Sequence, residues 1–349
     1  MTGKIPLPTF LESILVKTPI RTTLKSLALS VGLIAATSAQ ADTDYILNTA
    51  STGGTYHPVG TAIATLSKVK LLPKEKFSLT AVNSAGSGAN VQALAADTAQ
   101  FAIVQGLYGH YAATGTGPVT EPQANMRSVS MLWQNVEQFI LASDAVTTGT
   151  VSDLEAARDG TVAMGKENSG TIGSNKVLLS GLGIDLDLLT QYNAGYGPSA
   201  DALANGQVVA AGIPSGPPTS AITKLMSANS DRFTLLEVTE EQAAQMDGGR
   251  NLWVPYTIAA GTYPGQDADI NTIAQPNFLA VNASVDEEHV YLLTKTVYEN
   301  LPFLQAIHPA TKAMAIEKAT AGLPVPLHPG AARYYTEQGI DIPDHLIAQ

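Results

Sequence analysis

The chain of 349 residues contains no cysteine. That excludes disulfides, thiol nucleophiles and cysteine-ligated zinc, and it suits an exported protein that needs no cross-links. Charge is scarce: 14% of residues are Asp, Glu, Lys or Arg, against roughly 25% in an average soluble protein. The balance is negative, −11 with histidine neutral, which argues against nucleic acid or an anionic membrane surface as partner. Signatures of catalysis are missing too. In Gly165-Lys166-Glu167-Asn168-Ser169-Gly170 the lysine stands on the wrong side for a P-loop. In Gly86-Ser87-Gly88-Ala89-Asn90-Val91 a valine replaces the third glycine of a dinucleotide fingerprint. Pro214 stands where a G-x-S-x-G nucleophile elbow needs serine. There is no HExxH, and the six histidines, 57, 110, 289, 308, 328 and 345, show no ligand spacing. The expectation is a protein with no catalytic residue, no metal and no cofactor.

What the chain does contain begins with its N-terminus. Arg21 and Lys25 precede a mostly apolar run over 27–36, and Ser38-Ala39-Gln40-Ala41 follows it. A basic segment, a short apolar core and an A-x-A end form the layout of a secretory signal peptide, and the run is too short to span a bilayer. Residues 1–41 are therefore expected to be a leader cleaved after Ala41, with the remaining protein periplasmic. Cleavage removes Lys4, Lys17, Arg21 and Lys25 but only one acid, Glu12, so the mature chain is more acidic still.

Beyond the leader the pattern is strand, loop, helix, repeated. A strand ends at Tyr45–Leu47, the loop Ser51-Thr52-Gly53-Gly54-Thr55-Tyr56-His57-Pro58 follows, and apolar residues at Val59, Ala62, Ile63, Leu66 and Val69 give helical spacing up to Pro73. The plan recurs with a strand over 77–82, the loop 83–88, a helix over 89–96 and a strand over 101–104. It recurs again with a strand over 161–164, the loop 165–170 and a helix over 171–179. Further strands are expected over 131–142, 208–211 and 277–281, and a helix over 286–300. Strands alternating with helices predict a mostly parallel sheet. Segments 93–106 and 202–216 echo each other, each a helix end, a small polar turn, a buried strand and a glycine-containing loop, as two similar half-domains would give.

Four Gly/Ser/Thr-rich loops, 51–58, 83–88, 165–170 and 212–218, thus sit at strand C-termini and lead into helices, where ligands bind in open α/β sheets. Glycine lets main-chain N–H groups approach a ligand, and a helix start offers unpaired donors and partial positive charge, so such loops hold a carboxylate or phosphate without arginine. Capping alone would also favour Ser and Thr there. Tyr56 is placed to wall a small pocket, with Tyr192 and Tyr196 flanking Gly195 further on. Lys166 is either a helper for an anion or a solvated charge, and His57 has no partner readable from sequence.

The ordered series Gly53-Gly54-Thr55-Tyr56 with Pro58-Val59-Gly60, Asn83-Ser84 through Asn90, and Ala99 through Gln105 resembles the TAXI family of periplasmic receptors of tripartite ATP-independent (TRAP) transporters. Gly165 to Thr171, Ala202 to Pro214, Ala260 through Gly265 and the helix with His308-Pro309 continue the likeness. The resemblance implies an α/β, two-lobed type II periplasmic-binding-protein architecture with hinge strands between the lobes. It implies one lobe from 42–135 and 277–349 and the other from 136–276, with crossings near 133–139 and 276–281. The implied function is a monomeric, non-enzymatic receptor that binds a small anionic or zwitterionic solute, an organic acid or amino acid of the glutamate or dicarboxylate kind, between its lobes and delivers it to the membrane subunits of an ion-gradient-driven TRAP permease. A sensor for a membrane kinase and a secreted α/β hydrolase are the alternatives. Ligand contacts are expected at Thr52, Gly53, Gly54, Thr55, Tyr56 and His57, at Ser84, Ala85, Gly86, Ser87, Asn90 and Gln105, and at Ser169, Gly170, Thr171, Pro214, Ser215 and Gly216.

Overall fold

The computed structural model describes residues 42–348, so the expected leader and its cleavage site lie outside the described residues. The chain runs β1 (Thr43–Asn48), α1 (Tyr56–Lys70), α2 (Leu72–Glu75), β2 (Phe77–Val82), α3 (Ser87–Ala95), β3 (Phe101–Gln105) and α4 (Gly106–Thr114). It continues through β4 (Met126–Val136), β5 (Phe139–Ala142), β6 (Thr161–Ala163), α5 (Gly170–Gly181), β7 (Thr190–Gln191), α6 (Tyr196–Ala204), β8 (Ala210–Gly212), α7 (Ser220–Asn229) and β9 (Phe233–Leu236). It closes with α8 (Glu240–Asp247), β10 (Val254–Ile258), β11 (Ile270–Asn282), α9 (Glu287–Glu299), α10 (Leu301–Ile307) and α11 (Pro329–Glu337).

Local chemistry accounts for these elements. In α1 the buried stripe Val59, Ile63 and Leu66 faces the core, and Lys68 and Lys70 in the last turn complement the helix dipole. Asp286 caps α9 through the His289 N–H, Glu287 and Glu288 fill its first turn, and Val290, Leu293 and Val297 are buried. At α8, Thr239 and Gln242 form a reciprocal capping box.

Two sheets result, in the orders β10-β11-β3-β1-β2, with β4 on β11, and β7-β6-β8-β5-β9. The expectation of mostly parallel pairing is corrected. β1 is parallel to β2 and β3, and β6 to β7 and β8, but β11 runs antiparallel to β3, β4 and β10, and β5 to β8 and β9. The long strand expected over 131–142 is corrected as well. It is broken at Glu137-Gln138, where β4 leaves one sheet and β5 enters the other. Apolar residues at 131–133 and 139–142, on either side of the break, read as one extended strand, so periodicity did not place it.

The two halves share their wiring. β3 is parallel to β1 and antiparallel to β11, as β8 is to β6 and β5. Asn90 of α3 donates to the carbonyls of Thr49 and Ile103, tying the loop after β1 to β3. Asn175 of α5 donates to those of Met164 and Gly212, tying the loop after β6 to β8.

β11 serves both halves. Ile273 and Ala274 pack with the residues around β5–β9, together with Trp253, Ile258 and Tyr263, whereas Phe278 to Val281 pack with β1, β3, α1 and α9. The short crossing is anchored on both sides. Glu137 meets Trp253 and Gln275, and Gln138 meets Ser215, Thr219 and the Tyr263 hydroxyl.

Two His-Pro steps open helical turns in the same way. Nδ1 of His308 accepts from Ala310 N–H at 3.2 Å and Nδ1 of His328 from Gly330 N–H at 3.3 Å. His328 Nε2 donates to the Val285 carbonyl at 3.0 Å, so the ring is neutral with its proton on Nε2. Burial lowers both pKa values below the ordinary 6.5. A lowered histidine contributes stability that is present above its unfolded pKa and lost as pH falls through the window below 6.5. These two rings should therefore pull urea midpoints down between pH 7.5 and 5.5, against the buried Glu137 carboxyl, whose raised pKa pulls them up over the same range. His328→Asn, which keeps a capping acceptor, should lose its share of that downward pull, so acid should lower its midpoint less than that of wild type; the same pH dependence in wild type and variant would refute this account.

Candidate ligand cleft

A cavity opens between the two halves, lined by Ser51, Gly54, Thr55, Tyr56, Ser87, Gln105 and Asn135 on one side and by Ser169, Gly170, Thr171, Tyr196 and Ser215 on the other. Counted out to solvent it holds about 470 Å³, but the centres of water molecules have only about 30 Å³. A solute of more than a few heavy atoms enters only if the walls part.

Four helices begin at this wall: α1 at Tyr56, α3 at Ser87, α5 at Gly170 and α6 at Tyr196. First-turn N–H groups lack intrahelical acceptors and carry partial positive charge, so the convergence suits an anion. Ser169 spends its oxygen on a cap, accepting from Ile172 N–H at 3.2 Å. Thr55 does not cap α1; its hydroxyl donates across the cleft to the Gly216 carbonyl at 2.9 Å. Other bonds span the same gap. Gln105 Nε2 donates to the Gly170 carbonyl at 2.9 Å, Ala89 N–H to the Asn168 carbonyl at 3.0 Å, and Asn168 Nδ2 to Gln92 Oε1 at 2.7 Å.

Two half-buried tyrosines line opposite sides of the cavity. The Tyr56 hydroxyl donates to Asn277 Oδ1, and its ring meets Trp133 edge-on at 5.8 Å. The Tyr196 hydroxyl donates to the Pro214 carbonyl and lies 2.7 Å from Thr171 Oγ1. Burial pushes both hydroxyls far above the ordinary tyrosine pKa, so both stay neutral. Lys166 is the one charged side chain in the lining, and it is exposed.

Of the residues expected from sequence, Gly54, Thr55, Tyr56, Ala85, Gly86, Ser87, Gln105, Ser169, Gly170, Thr171, Pro214 and Ser215 line the cavity. Six do not. Thr52 is exposed. The Gly53 carbonyl accepts from Ala221 N–H, and Gly216 lies against Trp133. Ser84 and Asn90 tie the loop to the strands from behind: the Ser84 hydroxyl is 2.6 Å from Asn90 Oδ1. His57 is half-buried in the first turn of α1, its Nδ1 without a hydrogen-bond partner.

Sequence reasoning missed the floor. Asn135 lines the cavity, and with Gln105, Glu137, Gln275 and Asn277 it forms a buried polar row beneath it. In register, Gln275 lies opposite Asn135, and Asn277 opposite Trp133 and Gln105. A readable signal existed: polar residues at alternate positions, Asn135 and Glu137, then Gln275 and Asn277, so that each pair shares one face of an extended segment. Among the described residues no group of three or more His, Asp or Glu is arranged to hold a metal ion, and no helix is long and apolar enough to cross a membrane.

Comparison with known proteins gives this architecture its place. A family model described as the NMT1-like family matches residues 47–339. Among solved structures, the chain is similar to MatC from Rhodopseudomonas palustris with bound malate, at 14% identity and a TM-score of 0.54, covering 85% of this chain and 99% of that one. It is similar to the periplasmic binding protein BugD at 15% identity and a TM-score of 0.51, covering 86% and 94%. PhnD1 from Prochlorococcus marinus in complex with methylphosphonate matches at 11% identity and a TM-score of 0.50, covering 77% and 90%. The fold is that of type II periplasmic solute-binding proteins.

Proposed function

The chain belongs to the NMT1-like family, and on that premise we propose that it is an extracytoplasmic receptor for a small anionic or zwitterionic solute. It closes two lobes, 42–135 with 277–349 and 136–276, about the crossings at 137–138 and 275–277. In the finer classification it is a TAXI receptor that hands its solute to a TRAP membrane permease. The observation that carries this reading is the cavity on which four helix starts converge from both halves. The direct bonds across it support a closing motion, since contacts made only in the closed form are what a bound solute can add to.

A thermal-shift screen of the mature protein tests the reading, using acetate, malate, glutamate, 2-oxoglutarate, glutamine and hydrophobic amino acids. A solute at 100 times its dissociation constant should add about 2.7 kcal/mol of stability. Failure of every acid and amino acid to raise the melting temperature, with turnover of ester or phosphoester substrates, would replace the receptor by a hydrolase.

A further inference from the structure

Glu137 is the acid beneath the cleft. It is 1% exposed, stands two positions beyond Asn135 and, like it, continues the pairing with β11, its N–H donating to the Ile273 carbonyl at 2.9 Å. Alternate residues of an extended strand share a face. One carboxyl oxygen, Oε1, accepts from the Trp253 indole N–H at 2.9 Å and from Gln275 Nε2 at 3.4 Å. The other, Oε2, is buried with no hydrogen-bond partner among the described residues. Isolated buried carboxylates are costly, and one with a bare oxygen more so.

Among the described residues no cation pairs with it. Its carboxyl is held by Trp253 before β10 and Gln275 on β11, Thr272 on β11 donates to its main-chain carbonyl, and the titratable groups that feel its charge are Tyr56 on α1 and Tyr196 on α6. Only the tyrosines titrate, and both are neutral. The Glu137 charge raises both tyrosine pKa values further, so it is felt at both walls of the cavity. Burial already raises the Glu137 pKa from the ordinary 4.5 to about 7.

We propose that Glu137 couples solute binding to a proton: an anion held at the helix starts is accommodated with the Glu137 carboxyl protonated, so the cleft takes up the anion together with one H⁺ from solvent. This rests on the receptor reading. The carboxylate form, facing a second negative charge in a site whose one lining cation, Lys166, is exposed to solvent, is the one binding disfavours. Affinity for an anion is therefore greatest below the pKa of the free protein and weakens as pH rises through it. A cationic solute would show the opposite slope.

The chain has two tryptophans, so Trp253 gives one of two indole N–H resonances, assigned by its loss in Trp253→Phe. That resonance should titrate near pH 7, and acetate, malate, glutamate or 2-oxoglutarate should move its midpoint upward. Calorimetric affinity for the acid that binds should fall about five- to tenfold from pH 6 to pH 8.5. In Glu137→Gln the titration should vanish and affinity should be flat with pH. If the acids raise the melting temperature while the Trp253 midpoint stays fixed, or if Glu137→Gln keeps the wild-type slope, the proton coupling is wrong and the receptor stands. If none of the four acids moves either the resonance or the melting temperature, the proton coupling falls, and the receptor reading falls with it only when glutamine and the hydrophobic amino acids also leave the melting temperature unchanged.

Discussion

Gly170→Val should weaken solute binding by about 100-fold while leaving the unliganded protein folded. Gly170 is the first residue of α5, and its backbone has ordinary helical geometry, so a side chain is tolerated by its own half. The obstacle lies across the cleft. A Cβ at Gly170 would overlap the Gln105 side-chain amide and stand 2.8 Å from Ser87 Oγ. It would also sit where the Gln105–Gly170 bond now closes the gap. Overpacking of this kind costs about 1–3 kcal/mol, and here the cost falls on the closed form alone, because opening relieves it. Calorimetry with an acid that stabilises wild type, beside unliganded melting curves, separates the effects. Wild-type affinity in the variant would remove Gly170 from the closing interface; a collapsed unliganded melt would make it a folding residue. Gly54→Val tests the opposite jaw. Its Cβ would stand 2.9 Å from the Tyr196 ring, and a ring edge yields more readily than the amide and hydroxyl packed against Gly170, so its effect should be smaller.

Glu137→Gln should raise the stability of the unliganded protein at pH 8 by up to about 3 kcal/mol. Burial lifts the carboxyl from 4.5 to about 7, so the folded state holds its proton more tightly than the unfolded chain does. The stability linked to that proton is fully present below 4.5, declines as pH rises and is gone above about 7. An amide has no such slope, and its oxygen still accepts from Trp253. The gain should therefore shrink as pH is lowered and disappear near pH 5. His308 and His328 tilt the stability curve the other way, but they are common to both proteins and cancel in the comparison. Urea unfolding of the pair from pH 5 to 8 reads the difference directly. Parallel curves, or a variant weaker throughout, would mean that the carboxylate has a stabilising partner.

The alternation of strand and helix was legible because each βα unit has its own local signals: the stretch over 77–82 is β2 residue for residue. Loops after strands pointed to the cavity, since glycine and serine ahead of a helix start leave main-chain donors open to a ligand, while capping draws on the same residues, as at Ser169. Asn90 and Ser84 misled, because a small polar residue in such a loop can face either the ligand or the strands behind it, and only packing decides. The floor was harder. Asn135, Glu137, Gln275 and Asn277 are far apart in sequence and meet only because β4 and β11 pair antiparallel with two register shifts. The antiparallel strands themselves were obscure for a related reason: their partners are chosen across the whole chain rather than by their neighbours.

The shared strand β11 has a consequence for how this protein can be cut, copied or inherited. The half built on β5–β9 completes its core with Trp253, Ile258, Tyr263, Ile273 and Ala274, while β10 and β11 are hydrogen-bonded into the other sheet. Its crossing residues, Glu137 and Gln138, are buried rather than looped out for a protease. That half is not a transplantable module. A fragment spanning 136–252 lacks part of its own interior, so the two lobes must be made, folded and passed on as one piece.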